Sequence, residues 1–215
     1  MNLKQYPNVH VSTHPLLKHK ITIIRNKETR TALFREIVNE IASLEGYEVF
    51  RNLKTKNIHI ETPLEKTTQP MVDLKKICVV PILRAGLGMV EGLIKLVPEA
   101  KVGYIGIYRN EKTHKPVEYL CKLPKNIKQM EVFLIDPMLA TGGSAIDAIS
   151  TLKKHGAKKI NFICIVAAPE GVKAFCKKYP DVTLYIGALD RKLNKNKYIL
   201  PGLGDAGDRI HGTED

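Results

Sequence analysis

The residues of this chain best suited to do chemistry lie in the stretch Glu131-Val-Phe-Leu-Ile-Asp-Pro-Met-Leu-Ala-Thr-Gly-Gly-Ser144. An apolar run, Val132 to Ile135, delivers one carboxylate, Asp136. A small-residue loop, Ala140-Thr-Gly-Gly-Ser144, then leads into a helix-compatible stretch, Ala145 to His155. Gly142 and Gly143 let peptide N–H groups approach an anion, a helix start adds partial positive charge, and the Thr141 and Ser144 hydroxyls can donate hydrogen bonds. A carboxylate is a poor neighbour for a bare phosphate but a good acceptor for sugar hydroxyls. The run Asp136, Pro137, Met138, Leu139, Ala140, Thr141, Gly142, Gly143, Ser144 therefore reads as a site for a sugar phosphate. An ordinary strand-to-helix turn with a Ser N-cap is the alternative for its second half. No Lys follows the glycines as in a nucleotide P-loop, and the dinucleotide pattern Gly-x-Gly-x-x-Gly is absent here.

Three further segments carry polar groups at element boundaries. Val80-Pro-Ile-Leu-Arg-Ala-Gly-Leu-Gly88 sets Arg84 in a tight turn after an apolar run, a guanidinium plus peptide N–H groups that suit a pyrophosphate. Tyr108-Arg-Asn-Glu111 brings Arg109 to the start of a polar loop with Lys112, His114 and Lys115. Tyr198-Ile-Leu-Pro-Gly-Leu-Gly-Asp-Ala-Gly-Asp208 is rich in glycine and acid, with almost no room for a packed helix. It reads as a shaped loop whose backbone is available for recognition. Taken singly, Arg84 reads as a surface Arg, Tyr108–Glu111 as a solvated hairpin and Asp205 as a turn-stabilising Asp. His10 and His14 share a four-residue spacing, but no third ligand or His-Glu-x-x-His frame accompanies them.

The elements that must position these groups form an α/β pattern. Buried-strand candidates run over Ile77 to Ile82, Val102 to Tyr108, Val132 to Asp136, Ile160 to Ala167 and Val182 to Leu189. Helix-like stretches, Gly86 to Val97, Ala145 to His155 and Glu170 to Tyr179, alternate with them. Near-continuous apolar strands predict a parallel sheet covered by helices on both faces, with ligands outside the carboxyl ends of the strands. Arg84, Arg109 and Asp136 all fall at such ends. Upstream, Glu28 to Leu44 carries a helical apolar period closed by Gly46, and residues 47–76 suggest a small antiparallel β attachment. The chain divides as 1–76 (N-terminal helical arm, helix and β attachment), 77–190 (α/β core) and 191–215 (recognition loop and tail), in one domain.

Composition narrows the class. A 215-residue chain with 44% hydrophobic residues can bury a core, and no apolar run approaches the ~20 residues of a membrane span. The start carries no signal-peptide h-region, and the four cysteines show no C-x-x-C pair, so reduced core thiols in a cytoplasmic protein are expected. Net charge is +12, but the lysines are spread and no Arg-rich or aromatic-rich stripe marks a specific nucleic-acid site.

Together these motifs resemble the uracil branch of the type I phosphoribosyltransferase family, over nearly the whole chain. Asp136–Ser144 looks like the family's signature for 5-phosphoribosyl 1-pyrophosphate (PRPP), Pro81–Gly88 like its pyrophosphate loop, and Tyr108–Glu111 like the base of its flexible loop. Pro201–Asp208 looks like its uracil loop. His14-Pro15-Leu16 with Lys18-His19-Lys20, and Val166–Gly171, match further family segments. The single acid before Pro137, where most phosphoribosyltransferases have two, fits the uracil branch. His211 departs from the aromatic residue expected there. The resemblance implies transfer of phosphoribosyl from PRPP to uracil, with Mg²⁺ carried by PRPP. It implies catalytic roles for Asp136, Arg84 and Arg109, PRPP contact by Asp205, and uracil contact by Ile199, Gly204, Asp205 and Ala206. A homodimer or homotetramer and a GTP activator are also implied.

Overall fold

The protein is described here from a computed structural model covering residues 1–109 and 116–213. The side chains of Arg109 and Pro116 lie outside that description, as does the polar loop expected over residues 110–115. In chain order the strands are β1 Val9–Val11, β2 Thr55–Glu61, β3 Lys66–Val72, β4 Ile77–Leu83, β5 Lys101–Val102, β6 Tyr104–Arg109 and β7 Pro116–Lys122. They continue with β8 Glu131–Ile135, β9 Met138–Leu139, β10 Lys159–Ala167, β11 Thr183–Leu189, β12 Lys192–Leu193 and β13 Ile199–Leu200. The helices are α1 Pro15–Arg25, α2 Thr31–Val49, α3 Leu87–Ile94, α4 Gly143–Lys154, α5 Pro169–Lys178 and α6 Ala206–His211.

The main sheet runs β1-β11-β10-β8-β4-β6-β7, and β5 and β9 pair beside β4 and β10. Every pairing in it is parallel except β6 with β7. Strands such as Ile-Cys-Val-Val-Pro-Ile-Leu can sit there because both faces are covered, so no polar alternation is required. One face packs on α4 and α5, where Phe162 stacks on Phe175 at 5.5 Å. The other packs on α1, α2 and α3, where Phe50 meets Phe133 edge-on at 4.9 Å. The parallel α/β architecture with an antiparallel hairpin attachment, β2–β3, matches the sequence expectation.

Several boundaries differ from that expectation. The strand expected over Val102 to Tyr108 breaks at Gly103, whose N–H donates to Val79 O and whose missing Cβ leaves room for Leu123. Gly46 does not end α2. The helix passes through it to Val49, and glycine is there for packing: a Cβ would stand 2.7 Å from Leu93 Cδ2 on α3. The N-terminal arm holds β1, which pairs with β11 at the edge of the main sheet. The tail, expected to be loop, forms α6, a short helix that buries Ala206 and Ile210.

Glycine also sets the α2–α3 contact at Gly92, where a Cβ would lie 2.2 Å from Asn39 O and 2.8 Å from Ala42 Cβ. The nearer obstacle is backbone and cannot swing aside. Gly92→Ala is therefore expected to cost about 1–3 kcal/mol of stability by overpacking, despite alanine's better helix propensity. Urea denaturation checks this; an unchanged midpoint would show that the helices separate freely.

Candidate active site

The ends of β4 and β8 lie side by side, with Pro81 opposite Ile135. Each strand therefore hands its next polar residue, Arg84 and Asp136, to the same edge of the sheet. Behind the turn after β4, Gly86 fits only because it lacks a side chain: a Cβ would meet Ile135 O at 2.6 Å and Ile82 N at 2.8 Å. The Arg84 side chain is largely exposed and its guanidinium stands 3.5 Å from Asp208 Oδ1. His211 Nε2 lies 3.4 Å from Arg84 O, so the position that departs from the family pattern contacts the turn.

Asp136 accepts from Met138 N–H at 3.3 Å through Oδ1. Burial pushes its carboxyl up from 3.8 to about 7; the Met138 N–H pulls it back, and the nearby Asp205 charge pushes it further. The plain carboxylate expected from sequence is thus half protonated near neutrality in the free protein. Beyond β9 the chain reaches Gly142, which caps α4 in the left-handed region with φ +86°. The cap is this glycine and not Ser144, which lies inside the helix and is exposed. Thr141 Oγ1 accepts from Gly143 N at 3.5 Å. The loop rests on the start of α5, where a Cβ on Gly171 would lie 2.4 Å from Ala140 O.

The far wall is the segment after β12. Asn194 shapes its turn by accepting from Asn196 N and Tyr198 N, each at 2.9 Å. Lys197 in that turn has φ +68°. The chain then passes β13, a cis Leu200–Pro201 peptide and Gly202, and enters α6 with Asp205 as N-cap, its Oδ1 accepting from Asp208 N at 3.0 Å. Asp205 is therefore a turn-stabilising residue as well as a wall of the site. As the first residue of α6, Ala206 directs its N–H away from the intrahelical ladder.

These walls enclose an open cavity of about 510 Å³ that gathers Arg84, Asp136, Met138, Ala140, Ile199, Gly204, Asp205 and Ala206. Ala85, Tyr198 and Gly207, which lie inside the motifs singled out above, also line it, as do Asn196 and Lys197, which no motif included. The Asn-Lys-Asn-Lys turn signal was the one pointer to Asn196 and Lys197. Thr141 to Ser144 lie beyond Ala140 at the α4 N-terminus, outside the cavity wall. Pro137 and Leu139 are buried, and their carbonyls accept from Val166 N and Ala168 N, so these two residues hold the loop to β10. Arg109 ends β6, which pairs with β4, and its side chain is outside the described residues. A larger hollow, about 620 Å³ beside β1, is bordered by His10 and His14 and holds none of the expected site residues. Among the described residues no group of three or more His, Cys, Asp or Glu side chains is arranged to hold a metal ion.

The mostly parallel sheet flanked by helices is an architecture shared with solved phosphoribosyltransferases. A hypoxanthine-guanine phosphoribosyltransferase from Bacillus anthracis shares the fold, with TM-score 0.51 and 15% identity over 74% of this chain and 80% of that one. A solved protein from Aquifex aeolicus matches far more fully, with TM-score 0.92 and 36% identity over 96% of this chain and 99% of its own. The sequence model described as uracil phosphoribosyltransferase matches residues 11–213. Curated uracil phosphoribosyltransferases from Streptococcus pneumoniae (57% identical over 206 residues, 96% of this chain and 99% of that one) and Clostridium kluyveri (59% over 202 residues, 94% and 97%) are similar throughout. The chain belongs to the uracil phosphoribosyltransferase family.

The raised Asp136 value has a consequence for stability. The native state holds this proton more tightly than the unfolded chain, so its contribution weakens as pH rises from about 4 to about 7. Wild type should lose on the order of 2–4 kcal/mol relative to Asp136→Asn across that interval. Thermal denaturation of both ligand-free proteins at several pH values checks this; parallel curves would show an ordinary, unshifted carboxyl.

Proposed function

We propose that the cavity between Arg84, Asp136 and the Ile199–Ala206 segment is where this enzyme transfers the phosphoribosyl group of PRPP to uracil, giving UMP and diphosphate for pyrimidine salvage. The observation that carries the assignment is the meeting, in one cavity, of Asp136 with Gly204 and Ala206. The first suits a ribose, and the peptide groups of the others suit a base.

In the reaction the bond from the anomeric carbon to the pyrophosphate oxygen breaks, and its electron pair leaves with diphosphate. The bond to uracil N1 forms, and the N1 proton passes to the departing diphosphate or to solvent. Positive charge grows on the sugar as it flattens. Asp136, ionised, accepts from the ribose hydroxyls and faces that charge. Arg84 leaves its exposed pairing with Asp208 for the departing pyrophosphate, with Arg109 on the neighbouring strand end as a second cation. Peptide N–H groups and hydroxyls from Thr141 to Ser144 hold the 5′-phosphate, a remote handle whose binding energy aligns the anomeric carbon. Mg²⁺ bound to PRPP oxygens would supply charge neutralisation on the pyrophosphate, with Asp136 and Asp205 as the carboxyls facing it.

Uracil presents acceptor, donor and acceptor at O2, N3 and O4, and the peptide groups of Ile199, Gly204 and Ala206 meet that edge. Cytosine would set its amino group against a peptide N–H, leaving two donors unpaired in a desolvated site. The same reading takes in a homodimer or homotetramer and activation by GTP, as the sequence resemblance implies. Four free cysteines, three of them buried, suit a reducing cytoplasm.

Two kinetic outcomes test the assignment. Asp136→Asn should lower kcat/KM for PRPP about 30- to 1000-fold, equivalent to about 2–4 kcal/mol of transition-state binding, and wild-type kcat/KM should rise with pH through about 7. Near-wild-type turnover in the variant would remove Asp136 from the mechanism. Ala206→Pro deletes one N–H at a first-turn position where proline fits the helix. It should raise the KM for uracil and leave that for PRPP unchanged; an unchanged uracil KM would place base recognition elsewhere.

A further inference from the structure

Against the proposed base-reading segment, and outside the lining of the cavity, lies an ion pair. Arg25 is the last residue of α1, and Asp190 directly follows β11. Their side chains make a fork-to-fork pair, Nη2 to Oδ1 at 2.5 Å and Nη1 to Oδ2 at 2.9 Å. The Asp190 side chain is 4% exposed and that of Arg25 22%. The same atoms also clasp one glycine: Asp190 Oδ2 accepts from Gly202 N at 2.9 Å, and Arg25 Nη1 donates to Gly202 O at 2.9 Å. Both polar groups of Gly202 are thus held by the two halves of one ion pair.

Gly202 is the pivot of the segment. Its φ is +66°, and a Cβ there would lie 2.2 Å from Ile199 O, so the chain doubles back tightly at this residue. Two residues later Gly204 enters the cavity wall, followed by Ala206. The next carbonyl, Leu203 O, is held by Arg209 Nη1 at 2.9 Å, and that guanidinium also donates to Ile24 O and Asn26 O around the end of α1. The segment is therefore tied at consecutive residues to one fixed point, the C-terminus of α1. Glycine alone has wide backbone freedom, and freedom at Gly202 would swing the peptide groups that follow it. A buried ion pair is a weak means of gaining stability compared with apolar packing. An apolar pair of the same size, however, could not hold an N–H and a C=O at once.

From this geometry we infer that Arg25 and Asp190 are positioning residues for base selection. Resting on the assignment of Gly204 and Ala206 to the base, the pair fixes the Gly202 peptide and so sets the direction in which those two residues present their backbone to uracil. It acts on the base half of the site; of the phosphoribosyl contacts only Asp205 shares its segment, and those built on β4 and β8 stand apart.

The test compares Arg25→Lys and Asp190→Asn with wild type and with Ala206→Pro, each with circular dichroism and a thermal midpoint to establish folding. A lysine keeps the charge but presents one ammonium where the two nitrogens of arginine reach Asp190 and Gly202 O. Each clamp variant should raise the KM for uracil about 10- to 100-fold, the scale of a misplacement near 1 Å, and leave the KM for PRPP within about threefold. The preference for uracil over cytosine should fall by a similar factor. In Arg25→Ala, added guanidinium ion should restore part of the uracil KM, and sodium ion at equal concentration should not. Folded clamp variants that lose only thermal stability, or whose two KM values rise together, would overturn the inference. If Asp190→Asn does not fold, Arg25→Lys carries the same comparison. An unaffected Ala206→Pro would show that the base assignment itself fails; an affected Ala206→Pro beside unaffected clamp variants would sink the clamp alone.

Discussion

The register between β4 and β8, from Ile77 against Glu131 to Pro81 against Ile135, is the constraint on which the site depends. Both strands are apolar and covered on both faces, so a polar side chain can appear only where they run out. A slip of one residue would turn apolar side chains to the wrong face and carry Asp136 into the core or out of the cavity. Because the core forbids the slip, the same burial that stabilises the sheet aligns Arg84 with Asp136. It also raises the affinity of Asp136 for its proton, so the position that makes this carboxyl useful to a ribose makes it costly in the empty protein. Hydroxyl donors from a bound ribose would relieve part of that cost on arrival, and positive charge developing on the sugar would relieve more of it as the bond breaks.

The other half of the cavity is built on a different principle. No strand of the main sheet supplies the wall from Asn196 to Gly207; it is a loop with a two-stranded ladder, β12–β13, and a short helix. Such a segment cannot order itself through apolar burial alone, and it is held by side chains brought from α1, β11 and α6. On the proposed assignment, the sugar-phosphate half is thus placed by the sheet and the base half by hydrogen-bonded arginines with Asp190. This division separates a reaction common to a fold from the choice of one base.

The core strands were legible in the sequence because each is a mainly apolar run, although Gly103 divides the one expected over Val102 to Tyr108, and Arg84 and Asp136 were legible because each lies at the end of one. What sequence concealed was mostly decided by distant contacts. β1 is only Val-His-Val, and nothing local marks it as the partner of β11. Gly46 looked like a helix stop, but the close approach of Leu93 gives it a packing reason to sit inside α2. α6 is six residues long with a glycine at its second position, too weak to form by propensity, and is fixed by burial of Ile210 and the bonds of Arg209. The protonation of Asp136 depends on burial that no spacing of residues reveals. Within Asp136 to Ala140 the residues alternate, Asp136, Met138 and Ala140 lining the cavity while Pro137 and Leu139 are buried, an alternation that the residue types do not announce. The positions proposed to read the base came from resemblance to a family; composition and periodicity showed only a glycine-rich loop.

The central claim is that one cavity reads ribose with a strand-end carboxyl and uracil with the backbone of a clamped loop. A crystal structure of the UMP complex tests it most directly. The account places the ribose hydroxyls within hydrogen-bonding distance of Asp136 and the 5′-phosphate at Thr141–Ser144. The uracil edge should lie about 2.7–3.2 Å from peptide groups of Gly204 and Ala206. UMP bound with its base away from that loop, or its ribose away from Asp136, would contradict it.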